Sequence, residues 1–364
     1  NVLERFKPLP HQVVRVSADS LYDSIEGVFL HMGTTKEDAA EGANTLTMTD
    51  LRGVETHGVS NMLRNYVESY TSGHLNPRPD FKVVRDKPSM ATVDADQGLA
   101  VILGPKMMRM AIEKAKVTGV GVVTLFNSGH SGGIGHHAML AAEQDMVGMV
   151  LTSGGKSVLP TFGAETRLGT NPISLAAPAR NEAPFLFDAA TSAVAGNKTG
   201  LARRVGTTML PGWLANLDGS PMDEPSLMME QGSYHLLPLG STREQGSHKG
   251  YGLGMIVEIM ATLLSGVAPS MLDSKPYSKH HFAAYDIAAF CEVDQFKDNM
   301  DETLKMLRET PAAPGHHRVL YPGLSEHEEE IERRKNGVPL HTEVVEWFDG
   351  MSAEVESIPA LVRV

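Results

Sequence analysis

Apolar residues recur at helical spacing near the start of the chain. Leu21, Ile25, Val28 and Phe29 share one face of a run that Ser17 is placed to cap, and Thr35 with Asp38 forms a capping pair ahead of Ala39, Ala43 and Leu46. Met62, Leu63, Tyr66, Val67 and Tyr70 mark a third helix, ended by Gly73 with Pro77 and Pro79 beyond it. Past these prolines the period shortens. Gly119 to Phe126 and Val147 to Ser153 are β-branched apolar runs of the kind found in buried strands, with helical spacing between them from Ile134 to Asp145. Further strands are predicted at Ile173 to Ala176, Phe185 to Asp188 and Ala288 to Val293, and helices at Gly250 to Leu264, Asp298 to Arg308 and Ser325 to Lys335. The segment from Gly196 to Gly246 is poorly periodic and rich in Gly, Pro and polar residues, which suits a lid or a subunit-contact arm.

Composition narrows the class. The 364 residues suggest two domains on length alone, and 32 basic against 44 acidic residues give a formal charge of −12. Such a chain has no general attraction to nucleic acid or to an anionic membrane surface, so neither is an expected partner. The longest candidate span, Leu253 to Leu264, is short and contains Glu258, and the first residues carry no apolar signal core, so cytoplasmic residence is the expectation. One cysteine, Cys291, excludes an internal disulfide and a cysteine-based metal cluster, and is expected to be a small buried apolar residue. The 35 glycines and 15 histidines matter through where they cluster.

Asp50-Leu51-Arg52-Gly53-Val54-Glu55-Thr56-His57-Gly58 crowds two acids, an Arg, a hydroxyl and a His into a turn between helices. That arrangement suits a general acid beside an anion-holding cation, or equally a cluster of surface charges and caps. Asn127-Ser128-Gly129-His130-Ser131-Gly132-Gly133 follows a strand, and such a turn presents backbone N–H groups to a ligand. The dinucleotide fingerprint GxGxxG is missing, because Gly119-Val120-Gly121 is followed by Thr124 where the third glycine belongs. His130, His136 and His137 invite a metal reading, but no acid stands at ligand spacing, and no metal is expected. Leu168-Gly169-Thr170-Asn171-Pro172-Ile173-Ser174 and Ser247-His248-Lys249-Gly250 are phosphate-compatible turns, or ordinary ones. Asp188 ends an apolar strand and either caps the next segment or orients a catalytic His.

Together and in this order, RGVETHG, NSGH, LGTNP, FDAATS and SHKGYGLG resemble the malate/L-lactate dehydrogenase family, over roughly residues 10 to 350. The resemblance implies a non-Rossmann α/β (α+β) fold: a largely antiparallel sheet domain with helices, plus a helical domain built from both chain ends. The corresponding division is 1–85, 86–290 and 291–364. It implies a homodimer with the site near the subunit contact, a bound NAD or NADP, and a small anionic substrate. Hydride would pass between nicotinamide and a 2-oxo or 2-hydroxy acid, or alternatively a cyclic imino acid. His57 or His130 would handle the proton with Asp188 orienting the site, and Arg52, Thr56 and Arg64 would serve the substrate. Ser153, Gly169, Thr170, Asn171, Pro172, Ser174, His248, Lys249, Pro322 and Gly323 would serve the cofactor. Three features depart from the family pattern. Thr56 replaces the usual Ser, Asn61 stands where many members have Arg, and the stretch from Ser265 to Asp286 is longer than typical. Two other classes compete: a histidine-liganded metal hydrolase, and a cofactor-binding relative without turnover.

Overall fold

Ser17 and Thr35 begin the first two helices as their spacing predicts. In the computed structural model, which describes residues 4–226, 230, 232–273, 275 and 277–364, strand β1 (Val13–Val16) leads into α1 (Ala18–His31). The Ser17 side chain accepts the Ser20 N–H at 3.3 Å. Helix α2 (Lys36–Leu51) starts on Thr35, which accepts the Asp38 N–H at 3.1 Å, and α3 (Val59–Thr71) follows the turn that carries His57. Their apolar faces close one core with residues from the far end of the chain: Leu21, Leu46 and Leu63 pack with Val338, Val344 and Phe348.

Two helices are interleaved among the first strands of the sheet: β2 (Lys82–Lys87), β3 (Met90–Asp94), α4 (Ala100–Thr118), β4 (Val120–Ser128), α5 (Gly135–Ala142), β5 (Met146–Ser153), β6 (Ile173–Ala177) and β7 (Phe185–Ala189). The arm or lid segment from Gly196 to Gly246 carries a helix of its own, α6 (Lys198–Val205), and a short pair, β8 (Leu214–Ala215) with β9 (His235–Leu236). Its positions 227–229 and 231 lie outside the described residues, as do 274 and 276 of the long stretch and the first three residues of the chain. Then come α7 (Ser247–Val257), β10 (Ser278–Asp286), α8 (Val293–Arg308), α9 (Leu324–Asn336), β11 (Val338–His341) and α10 (Thr342–Glu354).

Seven strands form the main sheet in the order β2-β3-β4-β10-β5-β6-β7. Only the β3–β4 pair is parallel, so the sheet is largely antiparallel, and Met107, Ile112 and Ala138 of its covering helices pack on Val123, Val150 and Phe282. The expected strand from Ala288 to Val293 is absent. Asp286 accepts the Ala288 N–H at 3.1 Å, turning the chain into a 3-10 turn, Ile287–Ala289, ahead of α8. The strand lies earlier, as β10 within the long stretch. Cys291, expected to be buried, is exposed beside this turn. The ends of β4, β5 and β7 and the starts of β6 and β10 meet at one edge of the sheet, facing the α2–α3 turn.

Candidate active site

At that edge two cavities share a wall. The first, of about 420 Å³, is lined by His57, Gly132, Gly133, Gly135, Thr170 and Asp188 among others. The second, of about 1060 Å³, opens on the other side of His57 and includes His130, Asn61, Arg64 and Arg204.

The two part-buried histidines form the junction. Their rings stack with centroids 5.7 Å apart and planes 10° from parallel. Thr56 Oγ1 lies 2.8 Å from His57 Nδ1. His130 Nδ1 accepts the Gly132 N–H at 3.1 Å and lies 2.7 Å from the Tyr66 hydroxyl. A backbone N–H can only donate, so Nδ1 is the acceptor and the neutral ring carries its proton on Nε2. Burial depresses both rings, His57 to about 4 and His130, with His57 and other histidines nearby, to about 3.

Behind His130 the turn is pinned by two more buried histidines. His137 Nε2 donates to Ser131 O at 3.0 Å, and His280 Nε2 to Gly129 O at 3.2 Å. The other His280 nitrogen, Nδ1, sits 3.0 Å from Thr152 Oγ1. Among the described residues no three His, Cys, Asp or Glu side chains gather where they could hold a metal ion.

Asp188 lies in the first cavity, and the partner of its Oδ2 is the Gly135 N–H at 2.6 Å, at the start of α5. This bond ties the end of β7 to a helix start 53 residues earlier in the chain, rather than capping the segment that follows Asp188. Burial pushes its carboxyl up to about 6, against the pull of the Gly135 bond. Arg52 lines the same cavity, paired with Glu330 at 3.0 Å, whereas Arg64 lines the second, paired with Glu343 at 2.8 Å.

The LGTNP turn is held from behind. A Cβ at Gly169 would overlap Gly154 O, so only glycine allows this approach. Asn171, at φ 39°, donates to Gly254 O at 3.1 Å and to Glu258 Oε1 at 3.0 Å, and Thr170 and Pro172 form the cavity wall. Ser174 and Ser153 are fully buried, the latter accepting from Thr262 Oγ1 at 2.9 Å. His248 and Lys249 are exposed on the first turn of α7. Pro322 O accepts the Leu186 N–H at 3.1 Å, which seats Pro322 and Gly323 against β7 close to Asp188. Tyr66 and Arg204 join the site with no local signal in the sequence.

The chain matches the family model for malate/L-lactate dehydrogenase over residues 16–348. It belongs to that family. Malate dehydrogenase of Pyrococcus abyssi is 38% identical over 94% of this chain and 95% of its own. L-sulfolactate dehydrogenase of Methanocaldococcus jannaschii is 31% identical over 86% of this chain and 89% of its own. The crystal structure of malate dehydrogenase from Entamoeba histolytica superposes with a TM-score of 0.89 at 33% identity, covering 94% of this chain and 98% of that one. As a malate/L-lactate dehydrogenase family member the protein is an oxidoreductase acting on small hydroxy acids, and dehydrogenases of this family use nicotinamide cofactors. The non-Rossmann architecture agrees with the missing glycine fingerprint.

Proposed function

We propose that nicotinamide, from NAD or NADP, occupies the first cavity, that a small 2-oxo or 2-hydroxy acid occupies the second, and that His57 and His130 handle the proton between them. The observation that carries this reading is the stacked histidine pair at the junction of the two cavities. Glycine shape supports the cofactor side: a Cβ at Gly133 would fall 3.3 Å from Thr49 and 3.8 Å from His57, in space that a flat ring needs. Bound nicotinamide supplies or accepts the hydride at C4.

The protein's own task is binding and proton handling. With both imidazoles held neutral by burial, the pair is ready to take the hydroxyl proton in the oxidation direction. In reduction, an anionic substrate beside the rings favours the imidazolium, so acid and substrate arrive together. Thr56 steadies the His57 ring, Tyr66 and Gly132 fix the tautomer of His130, and Asp188 holds the glycine turn. Arg64 faces the substrate from α3, and Arg52 closes the floor of the first cavity.

A homodimer belongs to the same reading. Leu253, Ile256, Ile259 and Leu263 are exposed along α7 and its continuation, a row of apolar side chains that suits the surface of a second copy. The test of function is a panel of 2-oxo acids and cyclic imino acids with NADH and NADPH, followed in both directions at the nicotinamide absorbance. Turnover of hydroxy or oxo acids is expected, and its absence across the whole panel would overturn the reading.

A further inference from the structure

The second cavity has a charge opposite to that of the chain. Its described lining carries Lys156, Arg64, Arg203 and Arg204 against one acid, Glu343, so 4 − 1 gives +3 locally within a chain of formal charge −12. An open cavity with an excess of cations, lined also by His57 and His130, is a place for an anion beside the proposed proton-transfer groups.

Arg204 is the most firmly placed of these cations. It projects from α6 toward the start of α3, where its Nη1 donates to Asn61 Oδ1 at 2.9 Å and its Nη2 to Ser60 O at 2.7 Å. Its Nε lies 3.4 Å from Glu343 Oε2, and the side chain is only 13% exposed. A guanidinium has five N–H groups. These contacts use three, one on each nitrogen, and leave two for a ligand. Asn61 is anchored in turn, its Nδ2 donating to Asn197 O at 3.0 Å. Asn61 therefore grips the arm at two points, the backbone ahead of α6 and the Arg204 head. Arg64 shares Glu343 with Arg204, which brings two guanidiniums to one cavity.

We propose that Arg204 is the carboxylate-holding, specificity-determining residue of this cavity, and that Asn61 is the positioning residue that places it. The inference rests on the dehydrogenase reading for its kinetic consequences but not for its binding ones. A planar fork fixes a carboxylate at two points, giving orientation as well as attraction.

The test titrates oxalate, a non-reducible dicarboxylate probe, into cofactor-loaded enzyme by calorimetry, for wild type, Arg204→Ala, Arg204→Lys, Asn61→Ala and the Asn61→Ala/Arg204→Ala double variant. Arg204→Ala is expected to weaken oxalate by at least about tenfold, with the cofactor dissociation constant unchanged, and Arg204→Lys to fall between. Should Arg204→Ala fold poorly, Arg204→Lys reads the same loss of the fork with the charge retained. Asn61→Ala is expected to weaken oxalate alone but to add nothing in the Arg204→Ala background, the non-additivity of a residue that acts through another. The KM for oxaloacetate should rise in Arg204→Ala by more than that for pyruvate. Wild-type affinity in Arg204→Ala, or no oxalate binding by wild type, overturns the role of Arg204, and additive effects overturn that of Asn61. Wild type that binds oxalate through Arg204 yet turns over no 2-oxo acid overturns the dehydrogenase reading and leaves this inference standing.

Discussion

His57 and His130 lie with ring centroids 5.7 Å apart and planes 10° from parallel, although one ends an interhelical turn and the other follows a sheet strand. Two imidazoles so close resist being protonated together, so on the proposed reading the neutral pair takes up no more than one proton at a time. Replacing either with Ala should lower turnover by at least about 10²-fold, the low end for general acid–base catalysis, with cofactor binding retained. Steady-state kinetics beside a nicotinamide fluorescence titration checks this. Near-normal turnover in both variants would remove the pair from the mechanism.

The Tyr66 hydroxyl, 2.7 Å from His130 Nδ1, stabilises the neutral ring. Tyr66→Phe removes that donor, so the His130 pKa should rise and the acidic limb of kcat/KM should move to higher pH. A loss of about tenfold in kcat with little change in KM is expected for one such contact. An unaltered pH–rate profile would show that the hydroxyl does not govern the ring.

Asp188 changes charge near pH 6, where burial has lifted its carboxyl. If the first cavity takes the anionic cofactor, affinity should fall as pH rises through 6 and the carboxylate forms. Asp188→Asn keeps an acceptor for the Gly135 N–H without the charge, and should flatten that dependence. Fluorescence titrations between pH 5 and 8 compare the two. Parallel curves would place the cofactor away from Asp188.

Acid should destabilise the fold early. His57, His137 and His281 are held near 4 and His130, His136 and His280 near 3, so between these values and about 6.5 the unfolded chain binds protons that the folded one refuses. Asp50, lifted to about 7, and Asp188, lifted to about 6, act the other way, because the folded state holds their protons down to the ordinary carboxylate range. Six groups against two leave net proton uptake on unfolding, so the melting temperature should fall steadily from pH 7 toward 4.5. Calorimetry across that interval checks it, and a flat or rising melting temperature would contradict the assigned neutral histidines.

What could be read from sequence was what depends on near neighbours. Ser17 and Thr35 cap helices through bonds three residues long, and the glycine and histidine turns announce themselves as clusters. Strand β10 stays hidden because Lys279, His280 and His281 interrupt its apolar run. Those side chains are buried all the same, His280 through bonds to Thr152 and Gly129, which lie more than a hundred residues away in sequence. Tyr66 falls on an apolar helix face by periodicity, and its hydroxyl finds a partner 64 positions distant. Arg204 lies in a segment without period, and its role depends on Asn61, 143 positions earlier.

The insertion of β10 between β4 and β5 also sets an order of events during synthesis. The strands carrying the His130 turn and Ser153 are complete by residue 153, yet their facing edges are filled only when residues 278–286 have been made. Until then the nascent chain exposes two long apolar edges, open to pairing with another chain. The carbonyl of Gly129 likewise waits for His280, so the His130 turn gains its last support from one of the latest strands, and a chain halted before β10 would have a sheet that cannot close and a candidate site that cannot form.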